Sequence, residues 1–357
     1  MKLMAHAKAI LMTLMLVGLA PGATRGSSHW SLSLAYKASY DNNILRYSER
    51  DYQRAREGTE KYVSPVSTLD DVRSDLKASL SYRFQAVGKL DSRFTAAGDF
   101  AQYSFNPINN FGWVSLTYRQ QVASKWDALV HQFYEPYYFL RDYRDRHTGG
   151  NHHCDFAMSK TIGKVYYSPN KALEFDAFGE YKRYAYNKYF TEFDGNRIGI
   201  GGEGVFRTGP WRLSAAYSLG MFNNIGFDSA DRIPAEFQDS EDNENGDGSY
   251  EEDGYEFSCQ YSTKLQGRRV RAKTQLNLDD RYYTSDLPME LDLIHRGRHD
   301  VMLTAEVSVE YSLSVKTSLS LGGTWYNRDS EADSPLVSEL KDYQRALGWI
   351  EITYNVR

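Results

Sequence analysis

Ionisable side chains recur at every second position in several stretches of this chain. Arg269, Arg271 and Lys273 stand two apart, and Gln275, Asn277 and Arg281 continue their series. Glu306 and Glu310 share one face of the stretch at 300–313. Glu174, Asp176, Glu180 and Lys182 do so at 172–182, and Arg73, Lys77 and Arg83 at 72–84. A spacing of two puts side chains on one face of a β-strand. Charges of both signs along one wall can steer and select small ions, because low-dielectric surroundings strengthen the transverse field. The same groups can instead pair across strands, Arg271 with Glu310 for instance, and such pairing needs no function.

Two other clusters invite a chemical reading. His147-Thr-Gly-Gly-Asn-His-His-Cys154 places His147, His152, His153 and Cys154 within one polar stretch, a donor set that suits Zn, Ni or Cu. Its spacing matches no standard zinc motif, and a loop that happens to hold histidines accounts for it as well. The run from Asp239 to Asp253 is acidic, with Gly246 and Gly248 inside it. Oxygen-rich loops of this sort bind Ca²⁺ weakly, but the order of residues is not that of an EF-hand, and a solvated acidic loop is the simpler reading. Catalysis has little support. His131 shares a strand face with Phe133 and Glu135, no serine partner can be inferred for it, and no Gly-x-Ser-x-Gly occurs. The expectation is a protein that is not an enzyme and uses no cofactor.

The elements that must carry these residues are strands. Along 300–313, Val301, Leu303, Ala305, Val307, Val309, Tyr311 and Leu313 form an unbroken apolar face against Asp300, Met302, Thr304, Glu306, Ser308, Glu310 and Ser312. That is long for a soluble sheet and suits a tilted bilayer crossing with lipid on one side and water on the other. The pattern recurs along nearly the whole chain. Tight turns fall near 87–91, 123–125, 168–171, 208–210, 266–268 and 314–317. Longer polar segments fall near 41–71, 105–111, 141–153, 188–196, 222–253, 283–298 and 328–342. The strands number about 14, an even count. The expected fold is all-β: a transmembrane antiparallel up-and-down β-barrel with short periplasmic turns and long extracellular loops.

Composition agrees. The mean hydropathy of −0.60 reads as hydrophilic, as it does for barrels whose every second strand residue faces a lumen. Aromatic residues make up 14%, with 28 Tyr, enough for two interfacial girdles. Lys2 and Lys8 precede a short apolar run, Ala9 to Ala20, and small residues through Gly26, which reads as a cleaved secretory signal. Residues 1–26 are thus expected to be a leader and 27–357 the barrel. Only Cys154 and Cys259 are present, and no bond is expected between them. The net charge of −5, with both signs spread through the strands, argues against nucleic acid.

The last strand alternates Ile350, Ile352, Tyr354 and Val356 with Trp349, Glu351, Thr353 and Asn355, and so resembles the C-terminal signal of outer-membrane barrels, although it finishes on Arg357 rather than an aromatic residue. Everything after the leader resembles the single-chain Gram-negative outer-membrane β-barrels, porin-like in general form. Tyr40-Asp41-Asn42-Asn43 resembles an element that follows the first strand in several of them, some of which export lipoproteins or polysaccharide. The resemblance implies a place in the cell outer membrane, with lipid and the barrel-assembly machinery as partners. It also implies a passive channel for small hydrophilic solutes. Two alternatives stay open: a non-conducting scaffold whose loops bind a surface partner, and an export barrel that works with a periplasmic component.

Overall fold

The computed structural model describes residues 30–59, 65–85, 90–145, 149–228 and 246–356. Fourteen strands are present: Trp30–Asp41 (β1), Asp71–Gln85 (β2), Asp91–Tyr103 (β3), Phe111–Ala123 (β4), Trp126–Arg144 (β5), Asn151–Tyr167 (β6), Leu173–Tyr186 (β7), Gly195–Thr208 (β8), Trp211–Asn224 (β9), Tyr250–Leu265 (β10), Arg268–Tyr283 (β11), His299–Ser312 (β12), Thr317–Glu331 (β13) and Tyr343–Val356 (β14). Each pairs antiparallel with its sequence neighbours. β1 also pairs with β14, from Leu32 opposite Val356 to Asp41 opposite Leu347, so the sheet closes into a barrel. Closure leaves no strand edge, which a sheet in hydrocarbon requires, because an unpaired backbone group there costs several kcal/mol.

Every tight turn expected from the sequence joins two strands at one end, and every longer segment joins two at the other. The β10–β11 turn shows why its residues were chosen. Gln266 and Gly267 both have positive φ, 51° and 76°, the backbone of a two-residue hairpin whose twist matches the flanking strands. Two strands are less regular. β5 and β6 pair through register breaks between Glu135 and Tyr138 and between Phe139 and Arg141, and it was here that mixed Tyr, His and Lys residues blurred the two faces. The loops are shorter than the polar segments suggest. The expected loop at 141–153 is cut by β6 beginning at Asn151, and that at 222–253 by β9 ending at Asn224 and β10 beginning at Tyr250.

The outer wall is apolar. Ile198, Ile200, Val307, Val309 and Leu321 are all outward and highly exposed, Leu321 by 64%. Leu76, on β2, belongs to the same wall. Exposure of this degree on strand after strand is stable only against hydrocarbon. Aromatic pairs mark the boundary at the short-turn end: Trp30 on Tyr82, Trp126 on Tyr167 and Trp211 on Tyr261, with ring centroids 4.3, 4.6 and 4.7 Å apart. They stand on β1–β2, β5–β6 and β9–β10, and so recur every four strands around the ring. Such rings sit among headgroups, with the ring in the interface and the polar tip wet. Among the described residues no helix is long and apolar enough to cross a membrane; the strands do the crossing.

The two faces make opposite predictions for neighbouring residues. Val307→Arg should impair assembly, costing about 2–4 kcal/mol near the midplane. Ser308→Arg, on the opposite face, should be tolerated far better. The yield of folded, heat-modifiable protein in membranes reads both, and equal damage would refute the assignment of faces.

Candidate functional site in the barrel interior

The charged residues singled out from the sequence lie on the face opposite the apolar wall. Arg271 stands opposite Glu310 across β11 and β12, and Arg271 Nη1 lies 3.3 Å from Glu310 Oε2. Lys273 stands opposite Ser308 and donates instead to Gln275 Oε1 at 2.6 Å, while Glu306 stands opposite Gln275. Arg73 pairs with Asp75 at 2.9 Å and Lys77 with Glu351 at 2.8 Å. Glu174 takes Arg207, Asp176 takes Lys164, and Glu180 takes both Lys182 and Arg197. Arg83 and Arg269 stand opposite Arg93 and Lys264. The Lys77–Glu351 pair reaches from β2 to β14 over β1. Arg197 on β8 likewise reaches Glu252 on β10 over β9. Contacts that skip a strand form on the concave side of a closed sheet, so this face is the interior.

Sequence reasoning missed the strongest charge groups, which cluster at the long-loop end. Asp41 is fully buried and accepts from Arg345, Nε to Oδ1 at 2.9 Å. Asp300, also fully buried, accepts from Arg298 at 2.8 Å and from Arg328 at 2.7 Å. Glu252 accepts from Arg197 at 2.6 Å and from Arg281 at 2.7 Å. Arg281 and Arg298 also stack on Tyr250 and Tyr283, 4.0 and 4.3 Å from the ring centres. Fork-shaped guanidinium donors and aromatic faces satisfy these ions where water is scarce. The Tyr40-Asp41-Asn42-Asn43 element belongs to this layer. Asn42 accepts the Ala346 N–H at 2.8 Å, and Asn43 donates to the carbonyls of Tyr47 and Gln344 at 2.9 and 3.1 Å. The element staples the first strand to the last.

From that staple the β1–β2 loop turns inward. Ile44 and Leu45 are buried with Tyr103 and Phe139, and Ile108 and Phe111 pack against them. Arg141 on β5 donates to the Leu45 carbonyl at 3.2 Å. A helix, Glu49–Glu57 (α1), follows. Ser48 caps it by accepting the Asp51 N–H at 3.2 Å, and Gly58 ends it with φ 66°. Its Arg50 pairs with Glu339 in a short helix, Leu336–Lys341 (α2), of the β13–β14 loop, while Asp51 lies 3.6 Å from Arg141. Arg46 donates to the Tyr138 hydroxyl on β5 at 2.9 Å, while Arg50 ties the loop to the segment between β13 and β14. β14 and β13 lie five and six places from β5 around the ring. The loop is therefore a strap across the long-loop mouth.

No family model matches the chain, and no curated protein does. Solved structures with a similar trace include an anion-selective porin from Comamonas acidovorans, at 10% identity and TM-score 0.45, covering 92% of this chain and 99% of that one. The outer membrane channel DcaP of Acinetobacter baumannii gives 12% identity and TM-score 0.48, covering 95% and 100%. OprD of Pseudomonas aeruginosa gives 11% identity and TM-score 0.39, covering 94% and 99%. Likeness at this level carries no argument. The chain's own geometry decides: a closed fourteen-strand ladder, apolar outside and charged inside. The chain is a closed antiparallel β-barrel of the transmembrane kind.

The remaining candidates take these places in the barrel. His147 lies outside the described residues. His152, His153 and Cys154 sit on β6 rather than in a loop, where their side chains alternate between faces. His152 stacks on Tyr189 at 3.7 Å, His153 Nδ1 lies 2.5 Å from Asp142 Oδ1, and Cys154 is fully buried. No group of three metal-ligating side chains assembles among the described residues. Neither Cys154 nor Cys259 is in a disulfide among the described residues. His131 Nδ1 lies 2.8 Å from the hydroxyl of Thr117 on the neighbouring strand. The first part of the acidic run, through 245, lies outside the described residues, and the rest is not a solvated loop. Asp292 accepts the Asp247 N–H at 3.0 Å, the Ser285 hydroxyl at 2.6 Å and the His295 N–H at 2.9 Å. Burial opposes the ionisation of Asp292, but His295 and Ser285 together outweigh it and hold the carboxyl below its ordinary range.

Removing one partner of a buried pair leaves the other uncompensated, at about 3–5 kcal/mol. Arg345→Met should therefore lower the temperature at which the folded band is lost on gels. The double variant Arg345→Met, Asp41→Asn should recover much of the loss. A double variant no better than the single one would mean that Asp41 depends on other partners.

Proposed function

We propose that the barrel is a passive outer-membrane channel for small hydrophilic solutes, with its short turns in the periplasm and its long loops outside. The observation that carries this reading is the wetness of the inner wall below the strap. Lys77 keeps 34% of its side chain exposed, and Arg271 and Glu310 keep 30% and 29%. At the long-loop end Arg345, Arg298 and Asp300 keep only 8%, 3% and 0%. Ions packed in a dry lumen would resemble the second group; those of the first have water beside them. In this reading Arg73, Lys77, Arg83, Glu174, Asp176, Glu180, Arg269, Arg271, Lys273, Glu306 and Glu310 line the solute path; Arg73, Glu180 and Asp176, with 16%, 11% and 2% of their side chains exposed, are its drier members. At about 14 strands the path is wider than in the eight-strand barrels that side chains fill. The strap narrows it, and the last strand, Leu347 to Val356, is what the assembly machinery would read.

The strap also favours a second reading, a scaffold whose mouth is closed and whose loops bind a surface partner. Conductance separates the two. Folded protein in planar bilayers should give discrete current steps, and Ile44→Asp with Leu45→Asp should enlarge them by freeing the strap from its apolar seat. Absence of steps in both the wild type and the strap variant would remove the channel reading and leave the scaffold.

A further inference from the structure

The short-turn mouth sets like charges directly opposite one another. Arg83 faces Arg93, and Arg93 faces Arg119, in register across β2, β3 and β4. Arg207 faces Arg212 across β8 and β9, and Lys264 faces Arg269 across β10 and β11. Like charges opposite one another on one face destabilise a strand pair, and low-dielectric walls sharpen the repulsion. Higher on the same wall the signs are matched, as in Lys77 with Glu351 and Lys164 with Asp176. Carboxylates relieve only the flanks of the basic groups: Asp127 takes Arg119 at 2.6 Å and Glu174 takes Arg207 at 3.3 Å. Among the described residues Arg83, Arg212, Lys264 and Arg269 form no ion pair. Lys264 and Arg269 are exposed, and Arg212 is half-buried.

The two groups face each other across the opening. Seven steps separate β3 from β10 in the fourteen-strand ring, whichever way the ring is followed. A strand spacing of ~4.8 Å and a tilt of ~40° make such a ring about 28 Å across between backbones, and long basic side chains reach well into that gap. Arg207, Arg212, Lys264 and Arg269 occupy the last inward positions of their strands; on the facing wall Gln85, Asp91 and Gln121 lie beyond Arg83, Arg93 and Arg119, and Asp91 is the one carboxylate among those three. A solute with one negative charge would relieve one cation. A solute with several would relieve a whole group, and guanidinium forks fit carboxylate and phosphate in pairs of hydrogen bonds.

We propose that the short-turn mouth is an anion-binding vestibule, and that the solutes the barrel handles include small anions carrying two or more charges, as polycarboxylates and phosphorylated compounds do. The proposal rests on the channel reading and names a class of solute for it.

The test has two arms. In the first, citrate and pyrophosphate are titrated calorimetrically into the folded, detergent-solubilised barrel, using the wild type and two variants: Arg212→Gln, Lys264→Gln, Arg269→Gln on one wall, and Arg83→Gln, Arg93→Gln on the other. Binding should weaken with salt, and each variant should lose about tenfold in affinity or more. Its melting temperature should hold or rise, because repulsion has been removed. The matching Lys variants of the arginines should keep most of the binding. In the second arm, citrate added to either chamber of a bilayer cell should block potassium chloride current at far lower concentration from the short-turn side. The variants should abolish that asymmetry and shift the reversal potential toward cations. Equal binding by wild type and variants would overturn the vestibule, as would a fall in melting temperature that accounts for lost binding. A conducting barrel with unaltered binding and selectivity leaves the channel standing without the vestibule. A non-conducting barrel whose variants lose the anion leaves the vestibule standing without the channel.

Discussion

The structure depends first on the hydrogen bonds between β1 and β14. A sheet in hydrocarbon has no water to satisfy its edges, so it closes or does not exist. Closure fixes the other features in turn. With an even number of antiparallel strands, the start of β1 and the end of β14 fall at the same end of the barrel, beside the short turns. With the ring closed, each strand has one face toward lipid and one toward the interior, so the alternation of apolar and charged residues becomes obligatory. The staple at Asp41, Asn42 and Asn43 sits at the closing seam, where Asp41 meets Arg345 and Asn43 meets the Gln344 carbonyl. An N-terminal strand held at its loop end by buried ions is hard to peel from the last one.

The interior is electrically uneven from end to end. At the long-loop end, cations and carboxylates are matched and buried, and aromatic rings cover the guanidinium groups of Arg281 and Arg298. In the middle they are matched but wet, as Lys77 and Glu351 are. At the short-turn end cations outnumber their partners, and several face one another. The first region costs desolvation and returns rigidity where the loops must be held. The last costs repulsion, which Asp127 and Glu174 relieve only at the flanks.

Most of the architecture was legible in the sequence because its signal has a period of two and little noise. The apolar face of β12, from Val301 to Tyr311, is outward as read, and the turn at Gln266-Gly267 carries the chemistry that such turns demand. β5 and β6 were hard to read because register breaks at Glu135 and Phe139 shift the side-chain faces partway along, so no single alternation runs their length. The strap was not legible. Residues 42–70 read as polar, yet two apolar residues, Ile44 and Leu45, are enough to seat the loop on Tyr103 and Phe139, a contact set by distance across the barrel rather than along the chain. The buried ion groups were missed. Arg298 and Asp300 share a face two residues apart, but Arg328 joins them from another strand. Face could be read from spacing; height on the wall, which decides whether an ion is wet or dry, could not.

Every functional statement above requires that one strand face lies in water and the other in lipid. The direct measurement uses single cysteines at neighbouring positions of β12, Val307→Cys and Ser308→Cys, in a chain carrying Cys154→Ser and Cys259→Ser. Each is probed in reconstituted membranes with a small charged thiol reagent and, after labelling with a nitroxide, with lipid-soluble oxygen. The account predicts fast modification and weak oxygen relaxation at 308, and slow modification with strong oxygen relaxation at 307. The reverse pattern, or an interior cysteine that the charged reagent never reaches, would contradict it.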